Sequence, residues 1–95
     1  LDQIMANIQH MVQQAKAHQV RVVLCSVLPA YDYPWRPGLQ PAGKIVALNQ
    51  RIKQLAAEQG CVYVDYFSAM ADSRNGLRAG LGEDGVHPNA AGYQI

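Results

Sequence analysis

A carboxylate and an imidazole stand three positions apart near the end of this chain, in the stretch EDGVHPNAAGY at residues 83–93. Asp84 and His87 are the residue types of an orienting acid and a general base. Gly85 permits a tight turn between them. Pro88 biases the residue before it toward extended backbone, which fixes where the His87 imidazole projects. An Asp84 carboxylate bonded to Nδ1–H of His87 leaves Nε2 free to take a proton, which is what a nucleophilic hydrolase asks of its base. A blander alternative uses the same residues: Asp84 accepts turn and helix-start amides, and His87 is structural. Spacing alone leaves both open.

Such a base needs a nucleophile, and the chain offers no obvious one. Its serines are Ser26, Ser68 and Ser73, and it has no threonine. Ser26, in CSVLP, ends an apolar run without the glycines of a nucleophile elbow, so strand-end packing is its expected role. Ser68 is expected to be the helix cap ahead of AMAD. Cys25 and Cys61 fall within strands, where burial opposes thiolate formation. Two sulfurs without neighbouring histidines do not complete a tetrahedral metal site. Their offset along adjacent strands, about 13 Å at ~3.3 Å per residue, exceeds the roughly 7 Å Cα limit for a disulfide. Both are expected to be buried free thiols.

The elements that must position these groups follow from periodicity. Apolar residues at Leu1, Ile4, Met5, Ile8, Met11, Val12 and Ala15 form one helical stripe, predicting a helix over 2–18 with His10 and His18 on its polar side. VRVVLCSVLPA (20–30) is a valine-rich run that fits a strand buried on both faces and ends at Pro29. YDYPWRPGL (31–39) is a loop punctuated by Pro34, Pro37 and Gly38. A second helix runs from Pro41 to Gln59 with Ile45, Leu48, Ile52, Leu55 and Ala56 inward, and Gly60 stops it. CVYVDYF (61–67) is a second buried strand. Residues 68–85 form a glycine-rich connection with one short helical turn, and Pro88 starts a final helix. This alternation predicts an α/β chain, part of a three-layer α/β/α (flavodoxin-like) sandwich with parallel strands and right-handed crossovers. Functional groups in such sheets gather beyond the carboxyl ends of the strands. Tyr31, Tyr33 and Trp35 lie at that edge. They either wall a substrate pocket, Trp35 being the best placed, or cover the end of the sheet. Asn49 and Asp65 are expected to be structural, with Asp65 alternatively supporting the site, and Arg74 and Arg78 to be solvated.

Composition excludes several function classes. Apolar residues make up 49% and charged residues 16%, enough to bury a core and unlike a disordered segment. Ninety-five residues suit one small domain. The eight basic residues are scattered among seven acidic ones, so no dense patch is available for nucleic acid. No apolar stretch approaches the ~20 residues of a membrane span, and the first residues lack the pattern of a signal peptide. No glycine-rich phosphate loop follows either strand, which argues against a nucleotide site. The chain starts without Met inside a helical pattern and stops soon after a helix start, so it is expected to be a piece of a longer protein. An unpaired apolar edge at VRVVLCSVL and partly uncovered helix stripes predict that this piece self-associates.

DGVHPNAAGY resembles the last block of the SGNH/GDSL hydrolases, a family of serine esterases and lipases, in which D-x-x-H ahead of the final helix supplies the Asp and His of a triad. VLPAYDYPW is similar to the loop after the penultimate strand in some bacterial members. The resemblance covers nearly the whole chain and the family's C-terminal half. It implies that Asp84 and His87 are catalytic, that residues 1–95 are the C-terminal portion of a single hydrolase domain, and that the substrate is a lipid, glycan or small-molecule ester. It implies no metal or organic cofactor. The family's G-D-S block with its serine, a later glycine and the G-x-N-D block that builds the oxyanion hole are absent from this chain. In the family they precede the helix with which it begins. The nucleophile is therefore expected outside these residues, and the chain alone to be inactive. A rival reading is a non-catalytic binding module on a degenerate hydrolase fold, told apart by whether those blocks lie upstream.

Overall fold

The computed structural model describes residues 1–95. The elements are α1 (Asp2–Ala17), β1 (Val23–Cys25), α2 (Ala42–Gln59), β2 (Val62–Val64), α3 (Tyr66–Met70) and α4 (Ala90–Tyr93). The two long helices end within one residue of their predicted bounds. In α2, Ile45, Leu48, Ile52, Leu55 and Ala56 are all buried, as their spacing requires. Gly60 closes the helix at φ 68°, the left-handed turn that glycine adopts without strain. The Cys61 N–H donates to Ala56 O at 2.8 Å, and the Lys16 ammonium of α1 donates to Gln59 O at 2.7 Å. In α1 only Val12 is buried, and Ile4 and Met11 are exposed.

β1 and β2 pair in parallel, with Val23 opposite Val62 and Cys25 opposite Val64. Both strands are shorter than the apolar runs suggested, and neither is buried on both faces. α2 packs against both strands. Leu24 and Tyr63 are half-buried, while Val23, Cys25 and Val62 are exposed. Alternate residues of a strand face opposite ways, so the sheet has one covered face and one open face. The expectation of buried thiols is corrected for the same reason: Cys25 is exposed and Cys61 half-buried, and both are free.

Side chains end the strands. After Ser26, whose N–H still bonds Val64 O at 3.0 Å, the backbone of Val27 is taken by the buried Asn49. Asn49 Oδ1 accepts the Val27 N–H at 2.7 Å, and Nδ2 donates to Val27 O at 3.0 Å. One amide thus stands in for a neighbouring strand. Asn49→Ala leaves both backbone groups unpartnered and is expected to destabilise the chain by about 1–2 kcal/mol. A fall in the urea midpoint checks this, and an unchanged midpoint would contradict it. β2 ends because Asp65 caps α3. Its Oδ1 accepts the Ser68 N–H at 3.0 Å, and its Oδ2 accepts the Ser68 hydroxyl at 2.6 Å. The cap is therefore Asp65 and not Ser68, since the carboxylate sits where the first-turn N–H groups point. Met70, Leu77 and Leu81 form a second buried cluster, with Leu28 against it. The loop carrying Asp84 and His87 rises from this cluster.

Candidate active site

The Asp84–His87 turn is bonded throughout. Asp84 Oδ1 accepts the N–H of Val86 at 2.9 Å and of His87 at 2.8 Å. Its Oδ2 lies 2.7 Å from His87 Nδ1. The carboxylate thus holds the turn amides and the imidazole at once. Gly85 makes this possible at φ 79°. The His87 ring N–H, then the backbone N–H groups of His87 and Val86, hold the Asp84 carboxyl far below its ordinary value of 3.8. An ionised carboxylate only accepts, so the hydrogen of this bond belongs to Nδ1. Nε2 makes no hydrogen bond within the chain, and the His87 side chain is 71% exposed.

Three further contacts pin the loop. The Asn89 N–H donates to Leu81 O at 2.8 Å, and Asn89 Nδ2 donates to Gly80 O at 3.2 Å and to Glu83 Oε1 at 3.1 Å. Asn89 Oδ1 accepts the Gly92 N–H at 3.1 Å, which caps α4. The last helix therefore starts at Ala90, after an asparagine cap, and not at Pro88. Gly82 lies so close to the other limb that a Cβ there would fall 2.4 Å from His87 O and 2.7 Å from a Leu77 methyl. His87 consequently sits on a loop stitched to itself and seated on a buried leucine.

The aromatic loop reaches the same place from β1. Asp32 accepts the N–H groups of Tyr33, Gly38 and Gln40 at 2.9, 2.8 and 3.0 Å, closing residues 32–40 into a compact loop. Within it, Arg36 N–H bonds Tyr33 O at 3.0 Å, a turn in which Pro34 takes the position that favours its fixed φ. Trp35 follows Pro34 in that turn. Its ring stacks on Tyr33, with centroids 5.2 Å apart and planes 13° apart, and meets the His87 ring at 5.7 Å and 33°. The structure thus gathers Tyr33, Trp35, Asp84 and His87. Tyr31 is engaged elsewhere, beneath the Arg74 guanidinium at 4.4 Å, so Arg74 is more than a solvated charge.

None of the serines bonds His87. Ser26 is buried, and its Oγ accepts the Phe67 N–H at 2.8 Å. Reading the sequence missed Asp32, Gly82 and Asn89. Asp32 ahead of a Pro turn, and Asn89 ahead of a helix, carry recognisable local signals. Gly82 carries none, because its need arises from a contact with another limb of the loop. No cluster of three or more His, Cys, Asp or Glu side chains is arranged to hold a metal. No helix is long and apolar enough to cross a membrane.

Residues 1–95 match the family model described as GDSL-like lipase/acylhydrolase. Among solved structures, a provisionally assigned acylhydrolase from Bacteroides fragilis NCTC 9343 is 39% identical, with a TM-score of 0.93 over 98% of this chain and 46% of its own. A GDSL-like lipase from Bacteroides thetaiotaomicron VPI-5482 is 38% identical, with a TM-score of 0.92 over the same shares. A Streptococcus pneumonia protein, provisionally described as a platelet activating factor, is 26% identical with a TM-score of 0.83. No curated protein matches. The chain spans about half the length of these solved structures, 46% in each case.

Proposed function

Because the chain belongs to the GDSL-like lipase/acylhydrolase family, we propose that it carries the base and orienting acid of a serine ester hydrolase. The nucleophile and oxyanion donors lie outside residues 1–95, which form the C-terminal portion of one hydrolase domain. The observation that carries this reading is the 2.7 Å bond from His87 Nδ1 to Asp84, which leaves Nε2 unbonded and facing solvent.

In the proposed reaction, Nε2 takes the serine proton as the hydroxyl attacks the ester carbonyl. The imidazolium then returns that proton to the leaving alkoxide. The same nitrogen next activates the water that hydrolyses the acyl-serine, regenerating the serine hydroxyl and releasing the acid. Asp84 orients the ring and stabilises its charged form. Tyr33 and Trp35 form the substrate-facing wall beside Nε2, while Tyr31 is left to its contact with Arg74. The substrate is a carboxylic ester, on a lipid, a glycan or a small molecule. Ester hydrolysis by the longer protein that contains these residues, measured with and without His87→Ala, tests the reading.

A further inference from the structure

We propose that Trp35 is a positioning residue for His87: it fixes the plane of the imidazole, and hence the direction of Nε2, which the bond to Asp84 leaves free. The inference rests on the reading of His87 as the base. A hydrogen bond from Nδ1 to one carboxylate oxygen fixes a single point of the ring. The bond tolerates a spread of angles, so the imidazole can still tilt about its χ torsions, and a side chain that is 71% exposed has little else around it. The ring that supplies the missing constraint is Trp35, at 5.7 Å and 33°. Aromatic contacts in this distance range are attractive, and the attraction grows when the partner ring carries a positive charge. The contact therefore adds to the bond from Asp84, and it strengthens when the base has taken its proton.

Trp35 is itself 59% exposed and would be a loose support without a frame. The frame is the stack on Tyr33, the turn closed by the Arg36 N–H, and the three backbone N–H groups gathered by Asp32. Two carboxylates thus converge on one imidazole: Asp84 directly, and Asp32 through the loop that presents Trp35. This arrangement joins two stretches of sequence about fifty positions apart, and each is rigid by its own local bonds.

Trp35 is the single tryptophan of the chain, so its emission reports the contact without any assay of activity. A protonated imidazole quenches an indole that it touches. In the longer protein, the part of the emission that Trp35→Phe removes is expected to rise in His87→Gln, because the imidazole that meets the indole is then gone. Trp35 emission that is unchanged in His87→Gln would overturn the proposal. In the longer protein, Trp35→Ala is expected to lower kcat about tenfold through misdirection of Nε2, with Trp35→Phe staying within about twofold of the parent. An unchanged kcat with a raised KM in Trp35→Ala would overturn the positioning role and leave Trp35 as substrate wall alone. Failure of the underlying reading looks different: His87→Ala would keep its turnover while the emission response to His87 remained.

Discussion

On the proposed reading, His87→Ala in the longer protein is expected to lower kcat for p-nitrophenyl acetate by on the order of 10⁴-fold or more, and Asp84→Asn by about 10³–10⁴-fold. The first change removes the only group placed to accept the serine proton. The second keeps the shape of the turn but puts an amide where a carboxylate held Nδ1–H. An amide that turns its NH₂ toward the ring selects the wrong tautomer. The pH dependence separates the two groups. Asp84 is depressed by the ring N–H of His87 and by two backbone N–H groups. Its bonds are therefore fully present above the ordinary value of 3.8, and they weaken only as pH falls through the lower folded value. Activity lost on acidification while the pH is still above 3.8 is therefore not loss of the carboxylate's bonds. Variants that retain turnover within about tenfold of the parent would exclude the triad roles.

On the same reading, the 95-residue chain alone is expected to show no saturable p-nitrophenyl acetate turnover above an imidazole background. A base without its nucleophile and oxyanion donors retains almost none of the rate enhancement of the assembled site. None of Ser26, Ser68 and Ser73 bonds His87: Ser26 is buried and accepts the Phe67 N–H, and the Ser68 hydroxyl is bonded to Asp65. A saturable rate abolished by both His87→Ala and Ser26→Ala would overturn this. The same preparation is expected to sediment as more than a 10.4 kDa monomer at micromolar concentration. The reason is the open sheet face, where Val23 is 55% and Val62 is 62% exposed, a surface of the kind that associates. A monomer at that concentration, with cooperative unfolding, would contradict it.

What could be read from the sequence divides along a physical line. The α2 stripe, the Gly60 stop and the Asp84–His87 turn were legible because each depends on residues within a few positions of one another. The strands were legible as runs but not in extent. VRVVLCSVL and CVYVDYF do not say that Asn49, from the neighbouring helix, takes over the Val27 backbone, or that Asp65 turns the chain into α3. Burial of the cysteines was misjudged because a valine-rich run marks a strand that can be covered on both faces, and here α2 covers one. The meeting of Trp35 with His87 is a long-range contact, and no spacing encodes it.

The central claim is that His87 serves a serine that lies outside these residues. Labelling the longer protein with a fluorophosphonate and mapping the adduct by peptide mass tests it most directly, because the reagent reacts only with a serine whose proton is being taken. One phosphonylated serine is expected outside residues 1–95, with labelling lost in His87→Ala. An adduct on Ser26, Ser68 or Ser73, or labelling that proceeds equally well without His87, would contradict it.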